Sequence, residues 1–196
     1  MRPDSEAERS PLIRALVFLW TGQNVLLVIS SILRLDLYIG IYALTYWRIA
    51  AFVWMGLVAA GLPLIIARIA LGKSNKWLLT ANLLTLSATL YACCYVNFAG
   101  LIADYNVDHS LEMSGQGVSL DVWYLRDLGP AAFPAIDRYL AGRDVVLDPV
   151  LSELFSSRSL AEEWFRHDHE NWRAWSFRDW RLLQYLDGRK RIGSSE

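Results

Sequence analysis

Residues 23–61 read QNVLLVISSILRLDLYIGIYALTYWRIAAFVWMGLVAAG, from Gln23 to Gly61. The stretch joins the end of one apolar run to the start of another across a short polar-aromatic bridge. No charge occurs from Ala15 to Leu33, nor from Ile49 to Ala67. As a helix, each run spans about 28 Å, close to the hydrocarbon thickness of a bilayer. A third run, Trp77 to Ala103, is also uncharged. Its helical length of about 40 Å exceeds what a bilayer core needs, so it tilts or projects. The expected architecture is therefore all-α. It comprises a polar tail over 1–11, a membrane domain with three transmembrane helices over 12–103, and a small helical extracytoplasmic domain over 104–196.

Charge is segregated along the chain in the same way. Residues 1–103 hold eight Lys/Arg against four Asp/Glu, whereas residues 104–196 hold eleven against sixteen. An acidic second half argues against nucleic acid as a partner, because phosphates need a basic face. The two cysteines, Cys93 and Cys94, are adjacent within an apolar run, so no disulfide framework can staple the second half. They read as small buried apolar residues, with a reactive vicinal pair as the alternative. The N-terminal run ends at Arg34 without a small-residue cleavage site, which favours an uncleaved anchor over a signal peptide.

The first membrane helix is expected over about Leu12–Leu35. Gln23 and Asn24 lie in its middle, where an amide is costly unless it is bonded. They read as helix–helix glue or as the lining of a polar path. Asp36–Arg48 is expected to be a short amphipathic connector at the interface, with Leu37, Ile41 and Leu44 at helical spacing beside Tyr38, Tyr42 and Thr45. The second helix is expected over Tyr46–Ala70, with Gly56 and Ala60 as a small-residue face and a kink at Pro63.

Gln23-Asn24, Ser30-Ser31-Ile-Leu-Arg34, Tyr42-Ala-Leu-Thr45 with Arg48, and Trp54-Met55-Gly56-Leu-Val resemble the bacterial membrane proteins known as domain of unknown function 4153 and its relative 4173. The likeness continues through Leu101-Ile-Ala-Asp104-Tyr-Asn106 and Leu120-Asp121-x-x-Tyr124-Leu125 to Pro134-Ala-Ile. It covers roughly Gln23 to Leu140, and the tail shares only a Trp/Arg-rich ending. The family has no assigned activity, so the resemblance implies an architecture and a bacterial inner-membrane location but no catalytic residues. Members usually carry further membrane helices ahead of this stretch, which makes the chain look like the C-terminal half of a longer design.

Beyond Ala103 the helix signals are short. A polar loop is expected over 104–119, followed by helices over about Leu120–Leu128 and Ala131–Leu140. Asp148-Pro149 opens a helix to Ser156, Ser159-Leu-Ala-Glu162 opens another to about Trp172, and Ser176 caps a last one to Leu186, stopped by Gly188. Glu163, His167 and Glu170 fall on one helical face and could ligate zinc or iron, but they equally describe a solvated face with no second motif to complete a site. Trp164, Trp172, Trp175 and Trp180, interleaved with Arg173, Arg178 and Arg181, read as a partner or lipid-headgroup surface, or as a small tryptophan core. No nucleophile elbow, phosphate loop, dinucleotide fingerprint or metalloprotease motif is present. The reading is a non-enzymatic inner-membrane scaffold or interaction subunit without cofactor. Its partners are the bilayer and a second copy or a separately encoded membrane protein. The alternatives are a transport or sensor component with a polar intramembrane path, and a metal-dependent membrane enzyme. The residues to watch are Gln23, Asn24, Arg34, Tyr46, Arg48, Asn97, Asp104 and Asn106, with Trp172, Trp175, Trp180 and Arg178 as the interaction surface. Basic residues near the membrane ends place the N-terminus in the cytoplasm and the C-terminal domain in the periplasm.

Overall fold

The computed structural model describes residues 11–193, with only the backbone described for Trp172 and residues 191–193. Most of the expected tail over 1–11 lies outside the described residues. The structure is 82% helical and contains no strand among the described residues, so the all-α class holds. Contacts divide the chain into two compact units, Met1–Val96 and Asn97–Glu196.

The first unit contains three helices, α1 (Pro11–Tyr42), α2 (Tyr46–Ala70) and α3 (Asn75–Tyr95). All three are long and apolar enough to cross a membrane. α2 packs on both α1 and α3. At one end of the α1–α2 pair, the Arg14 Nη2 donates to the Ile69 carbonyl at 3.4 Å. The expected connector over 36–48 is corrected. α1 runs on through Asp36 to Tyr42, and only Ala43–Thr45 separates it from α2. Leu37 and Ile41 continue the helical period of the preceding run, and no proline interrupts it, so nothing stops the helix at Arg34.

α2 spans the expected residues and continues through Pro63. The close approach expected at Gly56 occurs instead at Gly61, where an added Cβ would lie 3.3 Å from Asn82 Oδ1; at Gly56 it would meet nothing within 4 Å. Cys93 is only partly covered and Cys94 is exposed, which corrects their reading as buried residues.

The third expected helix is also corrected. Val96 takes an extended backbone (φ −81°, ψ 128°) between α3 and α4 (Phe98–Asp108). Asn97 then serves as N-cap, its side chain accepting from the Gly100 N–H at 3.2 Å. Asparagine competes well for a cap and poorly for a helix interior, so an uncharged run is not an unbroken helix.

The second unit continues with α5 (Leu111–Ser114), α6 (Val122–Asp127), a 3₁₀ turn (Pro130–Ala132), α7 (Phe133–Leu140), α8 (Pro149–Asp168), a second 3₁₀ turn (Trp172–Ala174) and α9 (Phe177–Gly193). The loop expected over 104–119 is thus largely helical. α4 packs on α7 and on the first 3₁₀ turn, and α8 packs on α6 and α7. Ile102, Leu125, Phe133, Ile136, Leu154 and Leu186 are each no more than 2% exposed and form the core. Two expected helices merge into α8. Inside it Ser159 caps nothing; its hydroxyl donates to the Phe155 carbonyl at 2.8 Å, the usual bond of a mid-helix serine. Ser176 does cap α9, accepting from the Asp179 N–H at 3.2 Å. α9 runs through Gly188, whose backbone cost alone does not end a helix.

Candidate functional site

Two clusters are built by the chain, one in each unit. The first is the α1–α2 corner. Ala43 adopts φ 63°, the left-handed region that ends a helix. Leu44 is then buried, and Thr45 stands at the start of α2 in extended conformation. Arg48, one turn into α2, reaches back and donates from Nη1 to the Tyr42 carbonyl at 2.7 Å and also to the Ala43 carbonyl. Its guanidinium lies 5.8 Å from the centre of the Tyr42 ring. The Tyr42-Ala-Leu-Thr45 and Arg48 motif therefore has a physical role. It turns the chain tightly and covers carbonyls that α1 leaves unbonded, with positive charge at a helix C-terminus.

The other marked polar residues of the first unit do not converge. Asn24 is spent on its own helix, its Nδ2 donating to the Trp20 carbonyl at 2.8 Å. Gln23, Arg34 and Tyr46 are exposed on α1 and α2. Thr21, Ser31, Asn82, Thr85 and Thr89 likewise donate to carbonyls four residues back.

In the second unit, Asn97 is a cap, and Asp104 accepts from Arg138 at 2.9 Å. Arg138 also meets Asp108 at 3.2 Å, tying α7 to α4. Asn106 is buried. The main cluster lies elsewhere, around Asp137, which sequence reasoning did not mark. Arg158, with its side chain 5% exposed, pairs with it: Nη2 donates to Oδ2 at 3.0 Å, and Nε stands 2.9 Å from Oδ1 as an ion contact without hydrogen-bond geometry. The Tyr185 hydroxyl donates to Oδ2 at 3.0 Å, and Arg189 pairs with Oδ1. Arg158 also pairs with Glu162 and lies 4.8 Å from the Phe133 ring centre. From Glu162 the chain of charges continues to Arg166 at 2.9 Å and on to Asp187 at 2.8 Å. Helices α7, α8 and α9 are thereby joined through one ionic network.

The network moves proton affinities in legible directions. Burial would raise the Glu162 carboxyl, but hydrogen bonds and charge from Arg158 and Arg166 hold it below its ordinary value. Burial, with the negative charge of Asp137 and the hydrogen bond to it, pushes the Tyr185 hydroxyl up to about 12. Both groups are thus fixed at neutral pH, Glu162 as carboxylate and Tyr185 as phenol. Neither is poised for proton transfer. The spacing Arg158, Glu162, Arg166 is the signal that could have found the network, though an i,i+4 ladder says nothing of burial.

A third feature is the aromatic surface. Trp164, Trp175 and Trp180 are 69%, 64% and 41% exposed, and Phe177 stacks on Trp180 at 5.7 Å. They are not a tryptophan core. Arg178 is exposed beside them. An open cleft of about 870 Å³ is lined by Ser159, Glu163, Trp164, His167, Glu170 and Lys190, among others. In it His167 Nδ1 stands 3.7 Å from Glu170, with both side chains more than 70% exposed. Among the described residues, no group of three His, Cys, Asp or Glu side chains is placed to hold a metal ion.

A family model described as domain of unknown function (DUF4153) matches residues 1–139. The match includes the α1–α2 corner, Asp104 and Asp137, and it stops before Arg158. No curated protein and no solved structure matches the chain.

Proposed function

The chain belongs to the DUF4153 family, and we propose that it is a non-enzymatic interaction subunit of a bacterial inner membrane. Three apolar helices anchor it, and a helical domain stands outside the cytoplasm as its docking part. The observation that carries this reading is how the polar side chains of the membrane helices are used. Thr21, Asn24, Ser31, Asn82, Thr85 and Thr89 each close a hydrogen bond onto their own helix, which supports a packing role over a shared polar path; Gln23 is the exception, exposed on α1. A transport path needs polar groups that converge on a solute and can exchange partners with it. Groups already bonded to backbone serve packing. In the second unit, the charged cluster around Asp137 is buried at Arg158 and Asp137 and paired internally out to Arg189 and Asp187, which supports a role in holding helices together.

The test is affinity purification of the tagged chain from native membranes in mild detergent, followed by native mass measurement. The expected result is a stoichiometric complex, with a second copy or with a different membrane polypeptide. Solute flux through liposomes containing the purified chain alone would overturn the reading.

A further inference from the structure

α1 has two opposite faces. On one, Thr21 and Ile39 are buried, and Val17, Asn24, Val28 and Leu35 are partly covered where α2 packs. On the other, Leu16, Leu19, Gln23, Leu26, Ser30 and Leu33 are all exposed. The open positions alternate in steps of three and four, the seam of a left-handed helix pair. Leucine takes four of the six places and recurs at Leu37 in the same register. Bilayer helices pack with this same geometry.

Lipid covers leucine as well as protein does, so leucines alone would decide nothing. Gln23 decides. It lies near the middle of the uncharged run Ala15–Leu33. In hydrocarbon an amide without a partner is costly. Its neighbour Asn24 and the nearby Ser31 each donate to a carbonyl four residues back. Gln23 makes no such bond among the described residues; it points out along the leucine seam.

We propose that α1 pairs in parallel with the α1 of a second copy of this chain, Gln23 bonding Gln23 across a two-fold axis. This rests on the reading of the chain as a membrane interaction subunit and names its partner. A primary amide donates through Nε2 and accepts through Oε1, so it complements a copy of itself. Two copies inserted with one topology present parallel helices. In a parallel pair each seam position faces its own equivalent, Gln23 to Gln23 and Ser30 to Ser30. One amide in a seam of leucines and a serine also fixes register, because any slip leaves two amides in lipid.

The test is oxidative crosslinking of the full chain in native membranes, with Cys93→Ala and Cys94→Ala as background. Leu19→Cys, Leu26→Cys and Leu33→Cys should each give a band of twice the chain mass. Phe18→Cys and Ile29→Cys, off the seam, should not. All five sites are exposed, so folding is not at issue. Adding Gln23→Leu should weaken association about 3- to 30-fold, while Gln23→Asn should retain most of it. Crosslinking that ignores the seam, or is unchanged by Gln23→Leu, overturns the proposal. So does a native mass showing one copy bound to a different polypeptide, which leaves the interaction-subunit reading standing. A chain that is monomeric and partnerless in its membrane overturns both.

Discussion

Ala43 and Arg48 are adjacent in space but play opposite energetic roles. Ala43 sits at φ 63°, where a Cβ crowds the following carbonyl at a cost of about 1–2 kcal/mol. Ala43→Gly should therefore stabilise the α1–α2 corner by up to about 1 kcal/mol, read as a higher midpoint in detergent-mediated unfolding. An unchanged or lower midpoint would mean that the methyl group is held by packing. Arg48→Ala should lower the same midpoint, because the Tyr42 and Ala43 carbonyls lose their donor. In the second unit, Arg158 is the sensitive residue. Arg158→Ala leaves Asp137 and Glu162 covered and short of charge partners, so it should cost about 3–5 kcal/mol. Arg158→Met, which refills the space, should cost less if Asp137→Asn is made with it. Arg48 was legible as part of a motif because its partners lie within six residues. Arg158 was not, because one of its partners, Asp137, lies 21 residues away, and a local ladder of charges looks the same whether solvated or buried.

Elements were legible where the pattern itself carries the stop. Tyr46–Ala70 was anticipated to the residue, and Gly129-Pro130 does end α6. Boundaries failed where a cap pattern and a helix interior share the same residues, as at Ser159, or where a break needs no charge, as at Val96-Asn97. The α8–α9 junction adds a property that no pattern shows. His169, the C-cap of α8, has Nδ1 2.8 Å from the Phe165 carbonyl and Nε2 3.2 Å from Asp179 in the first turn of α9. Burial acts to lower its proton affinity, but the Phe165 carbonyl and the Asp179 carboxylate outweigh it and hold the imidazole above its ordinary value. A raised folded-state value means that this contribution is complete below the unfolded value of about 6.5 and is lost as pH rises through the folded one. The midpoint difference between the natural chain and His169→Gln should therefore shrink from pH 6 to pH 8.5. A difference that grows with pH would reverse the assignment.

At the scale of the whole molecule, hydropathy and charge segregation are enough to read three apolar helices followed by a charged helical unit, while the packing within that unit needs the structure. Orientation depends on where the basic residues stand relative to the spans, since Lys and Arg near membrane ends are retained in the cytoplasm. Arg2, Arg9 and Arg14 precede or open α1, and Arg68, Lys73 and Lys76 flank the turn between α2 and α3. With three spans these two groups share one side. The other side has Arg34 and Arg48, and after α3 no Lys or Arg occurs until Arg126. In the structure Arg14 and Arg34 lie within α1 and Arg48 and Arg68 within α2, so each group keeps some of its charge on the helix ends rather than in the connections. The expected arrangement places the N-terminus and the α2–α3 turn in the cytoplasm and residues 104–196 in the periplasm. An alkaline phosphatase fusion after Ser194 should be active, and a green fluorescent protein fusion there should be dark. A bright fluorescent fusion with an inactive phosphatase would put the tail in the cytoplasm. Either the six basic residues would then lie outside, against the charge rule, or one of the three apolar helices would lie along the membrane rather than cross it.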